Sequence, residues 1–390
     1  MNNLLLKFRL VSYIILSFLI RLIVKTKENK IFLFSYYGKM YACNPQALTE
    51  YILHNYPQDY LIYWAFNKDV DTSFLDKRIH VVRKYDFSYF YHLYSSKFII
   101  HNSRDMFTDS FFIKKKTQKY IMTWHGPFAL KKIEKDAEKE LSSYYIKSAK
   151  RDSNMCDLML SNSAFFTNII KQSFWYNGEI LEACSPRNDI FYDEEYKRKC
   201  YKNVRENLIG CSLDTIVVLY APTFRKDNSL SYYKLNWDKI IPEFEQKFGQ
   251  NVEVLIRLHP NMCNMKGIDE IFDFSKVHNV THAPSITDFL FAADIMISDY
   301  TSAMFDFCTL RKPCFIYAVD YKEYDRGFYW DFNQLPFPFS SNLNELILNI
   351  SQYNSHSYLM NLDSWIKNTW HLEDDGHSCE RLLKWIGNNK

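Results

Sequence analysis

The 390-residue sequence predicts an α/β protein of two similar, doubly wound halves with a short apolar helix in front of them. Three observations carry that prediction. Short apolar runs bounded by polar residues, the pattern of buried parallel strands, alternate with helical stretches from Ile31 onward. The alternation pauses in the charged stretch Asp193–Asn207 and restarts beyond Gly210. Within the second half, Ala292–Asp306 (AADIMISDYTSAMFD) passes from strand to helix through small hydroxyl residues. Residues 1–27 are thus read as a membrane-associated helix, 28–207 as the first Rossmann-like domain and 208–390 as the second.

Taken in order, Leu10–Ile20 is apolar apart from Ser12, Tyr13 and Ser17, with Lys7 and Arg9 before it and Arg21, Lys25 and Lys27 after. The run is short for a bilayer, which takes about 20 residues, and it lacks the small-residue cleavage site of a signal peptide. It reads first as an interfacial anchor held by anionic lipid, then as a tilted signal-anchor, then as a plain buried helix. Strands follow at Ile31–Phe34, Tyr60–Phe66, His80–Val82, Lys97–His101, Tyr120–Trp124 and Leu158–Leu160, with helices at Pro45–Leu53, where Asn44 can serve as the cap, and from Ala164. The second half gives strands at Ile216–Tyr220, Val252–Leu258, Ile295–Ser298 and Cys314–Ala318. Its helices are Asp238–Phe248, Ser285–Ala293 and Ala303–Leu310, and the tail is helical over Asn342–Ile350 and Ser378–Ile386.

Composition narrows the function. With 47% hydrophobic and 24% charged residues the chain is globular, and a net charge of +3 gives no case for nucleic acid. Nine cysteines stand singly from Cys43 to Cys379 without a CxxC pair, which argues against a disulfide framework or a zinc site and for a reducing compartment. The P-loop, GxGxxG, HExxH and GxSxG signatures are missing, and Asp152, Asp157 and Asp294 are too dispersed to suggest a metal cage. Neither a metal nor a cofactor is expected.

In open α/β sheets, ligands bind at the carboxyl ends of the strands. Those loops hold Trp124-His125-Gly126, Ser185-Pro186-Arg187-Asn188-Asp189, Ala221-Pro222-Thr223-Phe224-Arg225, Arg257-Leu258-His259-Pro260 and Asp299-Tyr300-Thr301-Ser302. Histidines, arginines and a hydroxyl-lined helix start suit a phosphorylated reagent, because backbone N–H groups and the helix dipole favour an anion. Each residue also has a structural reading. A histidine at a strand end can be a hydrogen-bonder, Gly126 can serve a turn, Pro260 can end its strand, and Thr301 or Ser302 can be an N-cap. Arg225 can be a surface charge, and Arg187 can brace Asp189.

The blocks TWHGPFALKKIEKD, SPRND, LYAPTFR, RLHP, ISDYTSAMFDF and KPCFIYAVDYKEYDRGFYWDF, colinear over roughly Tyr120–Phe332, resemble the CDP-glycerol glycerophosphotransferases, which include teichoic acid primases and polymerases and enzymes of phosphate-linked capsules. The resemblance implies two Rossmann-like domains in a glycosyltransferase-B arrangement, seated on the cytoplasmic face of the membrane. It implies transfer of an alditol phosphate from CDP-glycerol, or a related CDP-alditol such as CDP-ribitol, to a glycan or lipid-linked acceptor. His125 would be the general base, and His259, Thr301 and Ser302 would hold the donor pyrophosphate. Thr223 would belong with them on the donor side. Arg187, Arg225 and Arg257 would add positive charge, Gly126 and Asn188 would support, and Asp299 and Asp306 would brace the site from behind. The sequence departs from the family at Cys184, where a glycine is usual, and after His125-Gly126, where Pro127-Phe128-Ala129-Leu130-Lys131 is one residue longer than usual. A nucleotide-sugar glycosyltransferase of the same architecture, and an inactive glycan-binding protein, are the other readings.

Overall fold

The computed structural model describes residues 2–104, 112–126, 128–225, 230–258, 262, 267–283, 286–324 and 327–390, with residues 2–10 by backbone alone. It divides into two compact units. The first comprises Met1–Gly126, Ile133–Tyr192 and Leu372–Lys390; the second comprises Pro127–Lys132 and Asp193–His371.

In the first unit the strands are β1 (Lys27–Leu33), β2 (Leu61–Phe66), β3 (His80–Arg83), β4 (Ser96–His101), β5 (Lys119–Met122), β6 (Leu158–Ser161) and β7 (Glu179–Glu182). They form a parallel sheet in the order β3-β2-β1-β4-β5-β6-β7. In the second unit β8 (Ile216–Tyr220), β9 (Val252–Ile256), β10 (Val277–Asn279), β11 (Ile295–Ser298), β12 (Cys314–Tyr317) and β13 (Phe339–Ser340) pair in parallel in the order β10-β9-β8-β11-β12-β13. Both orders reverse beside the first strand of the unit, between β1 and β4 and between β8 and β11. These reversal points are where doubly wound sheets open a crevice for a ligand. The predicted α/β class with two parallel sheets is the one observed.

The central strands bury on both faces, as parallel strands under helices must. Val217, Val218 and Leu219 of β8, and Ile31, Phe32 and Leu33 of β1, are fully buried. Side-chain caps start several helices: Ser163 accepts from the Phe166 N–H at the head of Ala164–Ser173, and Asn236 from the Lys239 N–H at the head of Trp237–Phe248.

Besides Pro127–Lys132, two chain segments depart from the simple sequential division. The unit boundary falls at Asp193, earlier than the predicted 207/208, because the helix Glu194–Lys202 and the turn Asn203–Leu208 are tied to the second sheet. Fully buried Arg205 donates to the carbonyls of Ala292 and Leu213 and pairs with Asp294. The last helix, Ser378–Asn388, returns to the first unit, where Leu382, Trp385 and Ile386 share a core cluster with Leu48, Ile52 and Trp64. Asp189 accepts from the N–H groups of Ser378 (2.9 Å) and Cys379 (2.7 Å) at the head of that helix. It is therefore a remote cap, not a partner that Arg187 braces.

The first helix, Asn2–Ile23, is present, but among the described residues no helix is long and apolar enough to cross a membrane. The spanning alternative is therefore not supported. Ser17 and Ile20 are buried; Tyr13 stacks on Tyr85 at 5.5 Å, and Ser17 Oγ lies 2.5 Å from the Tyr94 hydroxyl. The opposite face leaves Val11, Ile15, Phe18, Leu22 and Ile23 each at least half exposed, so a plain buried helix does not describe it either.

Candidate active site

At the reversal point of the first sheet, β4 runs out into Asn102 and β5 into Thr123, Trp124 and His125. The His125 Nδ1 lies 2.8 Å from the Asn102 carbonyl oxygen. A carbonyl only accepts, so Nδ1 carries the proton of the neutral ring and Nε2 keeps its lone pair. Burial lowers the pKa of His125, the Arg187 charge lowers it further, and the Asn102 bond opposes both without prevailing. The ring is neutral at pH 7. Tyr36 meets it edge-on with centroids 5.7 Å apart, and Trp124 lies against it at 4.7 Å.

Arg187 reaches the same loop: its Nη1 donates to the His125 carbonyl at 2.7 Å and to Cys43 Sγ at 3.5 Å. Asn188 is buried in the short 3₁₀ turn Pro186–Tyr192, its N–H bonded to the Ser185 carbonyl at 2.7 Å. Cys184 adopts φ +64, so a buried cysteine holds the left-handed backbone that favours glycine and carries its strain. Gly126 has no left-handed φ, and among the described residues a Cβ there would meet only the Trp124 side chain, at 3.7 Å. The fold itself does not demand glycine at that position. The longer stretch after Gly126 enters the core of the second unit. Phe128 packs on Phe305 (4.3 Å), Trp365 (5.2 Å) and Trp370 (5.7 Å), and Lys131 pairs antiparallel with Phe328.

At the reversal point of the second sheet, Asp299 after β11 accepts from the Thr223 N–H after β8 with both oxygens, at 2.9 and 3.0 Å. Arg225 lies behind them, only 8% exposed. Its Nε and Nη2 donate to Asp320 (2.6 and 3.0 Å), Nη2 pairs with Asp299 (2.8 Å) and Nη1 donates to the Thr223 carbonyl (2.6 Å). Tyr300 completes the cluster, donating its hydroxyl to Asp320 at 2.6 Å under the Arg225 guanidinium, 4.6 Å above the ring. Burial alone would lower the Arg225 pKa, but its bonds to the two carboxylates outweigh that and raise it. The arginine is thus a brace for the loops and not a surface charge. Arg257 differs. Burial lowers its pKa, its Nη1 is held by the carbonyls of Val280 (3.1 Å) and Ala283 (2.8 Å), and no carboxylate among the described residues pairs with it. It is the better-placed cation for an anionic ligand.

Ser302 occupies the cap position of the helix Ala303–Thr309 without a side-chain cap bond, and Thr301 Oγ1 receives only a long contact (3.4 Å) from the Ala303 N–H. The simple N-cap reading therefore leaves the Ser302 hydroxyl uncommitted. Asp306 is buried in the first turn of that helix, and the Thr223 hydroxyl oxygen is buried without a hydrogen-bond partner among the described residues. His259 and Pro260 lie outside the described residues. Among the described residues no group of three or more His, Cys, Asp or Glu is placed to hold a metal ion. Asp152 and Asp157 instead serve Arg104 and Lys114. Sequence reasoning missed Asn44, Asn102, Tyr300 and Asp320 as site builders. Asn102 and Tyr300 stood at strand ends, whereas Asp320 acts on a residue 95 positions away.

The profile of the family described as CDP-glycerol:poly(glycerophosphate) glycerophosphotransferase matches residues 16–388. The chain belongs to this family. Among curated relatives, a teichoic acid poly(glycerol phosphate) polymerase of Bacillus spizizenii is 26% identical over 398 aligned positions, covering 98% of each chain. A teichoic acid glycerol-phosphate transferase of Staphylococcus aureus is 30% identical, covering 92% of this chain and 93% of its own. Among solved structures, the wall teichoic acid polymerase TagF in a crystal soaked with CDPG superposes with a TM-score of 0.81 at 24% identity, over 100% of this chain and 98% of that one. The TagF likeness concerns the fold alone. Membership makes this glycerophosphotransferase-family chain an enzyme.

Proposed function

We propose that this glycerophosphotransferase-family protein moves glycerol phosphate from CDP-glycerol to a hydroxyl of a lipid-linked or polymeric glycan and releases CMP, in synthesis of a teichoic-acid-like or capsular polymer. The observation that carries the reading is the neutral His125, its Nδ1 proton fixed on Asn102 and its Nε2 lone pair unprotonated. Nε2 takes the acceptor proton as the hydroxyl oxygen attacks the phosphorus bearing the glycerol. The anhydride bond to CMP breaks, and CMP leaves with the electron pair. The first unit takes the acceptor and the second the donor. There Arg257, Thr301, Ser302 and His259 balance charge on the transferring group, while Thr223, Arg225, Asp299 and Asp306 hold the loops in shape.

The test offers CDP-glycerol, CDP-ribitol and a panel of nucleotide sugars with a glycan acceptor and follows nucleotide release. CMP from CDP-glycerol is the expected product. CMP from CDP-ribitol alone would reassign the alditol, and nucleoside diphosphate from a nucleotide sugar would overturn the reaction class.

The same reading seats the protein on the cytoplasmic face of the membrane through Asn2–Ile23. Its exposed apolar face is what supports this, with Lys25 and Lys27 following for anionic headgroups. The double variant Ile15→Glu, Leu22→Glu is expected to lower sedimentation with phosphatidylglycerol vesicles at least about tenfold, since burying each such side chain contributes roughly 1.5–3 kcal/mol. The melting temperature should hold, because both side chains point to solvent. Undiminished vesicle binding would exclude this face as the anchor.

A further inference from the structure

Asn44 sits at the start of the helix Cys43–Asn55, yet the helix has Ala42 at its cap position and receives no side-chain cap there. The side chain is 3% exposed and bonded elsewhere. Its Nδ2 donates to the carbonyls of Thr123 and Trp124, both at 3.1 Å, and its Oδ1 accepts the Arg187 N–H at 3.1 Å. The amide orientation is forced, because two carbonyls can face only the NH2 end and an N–H only the oxygen.

We propose that Asn44 is the positioning residue of the His125 base: it locks the loop that carries the imidazole and ties that loop to Arg187. The proposal rests on the transferase reading of His125. The bonds close a ring, from Asn44 to the Trp124 carbonyl, along the chain to the His125 carbonyl, across to the Arg187 side chain, and back through the Arg187 N–H to Asn44. Three segments far apart in sequence meet on one amide. The ring holds Trp124 at φ +53 and Cys43 at φ +66, conformations that non-glycine residues keep only when their surroundings over-determine them. The Trp124–His125 peptide in turn sets where the imidazole lies. If that peptide rotates, Nδ1 loses the Asn102 carbonyl, the single-tautomer ring is lost, and Nε2 no longer points to a fixed place. Aspartate has the same shape but no N–H to offer the two carbonyls. Alanine offers neither function.

The experiment compares the full-length protein with Asn44→Ala and Asn44→Asp, the second carrying the test if the first does not fold. A displaced catalytic group typically costs about a hundredfold in kcat, and that loss is expected here, with KM for CDP-glycerol within about twofold. In nitrogen-15 spectra of the histidines, the single protonated-Nδ1 signature of His125 should give way to a tautomer mixture. In the His125→Ala background the Asn44 substitution should cost nothing further in residual CMP release. An unchanged kcat with an unchanged imidazole signature would overturn the proposal, as would a full additive loss without His125. If the wild-type protein releases no CMP from any CDP-alditol, the transferase reading fails, and the imidazole signature still decides whether Asn44 orients the ring.

Discussion

His125→Ala is expected to lower CMP release from CDP-glycerol by about 10²–10⁴-fold, the range a positioned general base supplies. The fold should survive, because the ring's one described hydrogen bond is to the Asn102 carbonyl and the side chain is partly exposed. Binding of CDP-glycerol should survive as well, since the donor motifs lie in the second unit. Single-turnover CMP release, a melting curve and equilibrium dialysis with labelled donor check the three statements separately. Unaltered turnover would remove the proposed base. The pH dependence has a definite sign: burial holds the pKa of His125 below its ordinary 6.5, so the base stays neutral and active down past that value. The acid limb of the rate profile should therefore fall below pH 6.5.

Arg225→Ala carries the largest expected loss of stability. It leaves Asp299 and Asp320 buried, at 3% and 9% exposure, without their shared cation. Breaking a buried ion pair from one side costs about 3–5 kcal/mol, which denaturant titration would read directly. The pH response should also reverse. In the wild type, burial pushes Asp320 up, but the bonds from Arg225 and Tyr300 outweigh it and set its pKa below the ordinary 3.8. That stabilisation is present above the unfolded-state value and is lost as pH falls through the lower folded-state value. In the variant Asp320, buried without its cation, takes a proton more readily folded than unfolded, so stability should rise as pH falls from 7 toward 5. A variant as stable as the wild type, with the same pH dependence, would show that the cluster is not a brace.

The strands that the sequence located best are the central ones. β8 and β11 match their predicted bounds, Ile216–Tyr220 and Ile295–Ser298, because a strand buried on both faces is a continuous apolar run with polar ends. β7, β10 and β13 went unseen. They are partly exposed edge strands of two to four residues, such as Glu179–Glu182, and carry no such run. The helices Phe87–Ser95, Ser143–Met155 and Ser355–Trp365 also escaped. The last helix was found but placed in the wrong half, since its partners Leu48 and Trp64 lie hundreds of residues upstream.

The sequence by itself determined the α/β class, the two parallel sheets, the family, and where the strand-end loops fall, because strand burial and strand-end position are local patterns. Tertiary structure alone decided what each residue in those loops does. Arg225 and Arg257 look alike in sequence, yet one is spent on Asp299 and Asp320 while the other is held only by carbonyls. Asn44 reads as a helix cap until the Thr123 and Trp124 carbonyls and the Arg187 N–H are brought around it. The physical reason is the same in each case. A buried polar group takes its role from the partners that desolvation forces it to find, and those partners come from anywhere along the chain.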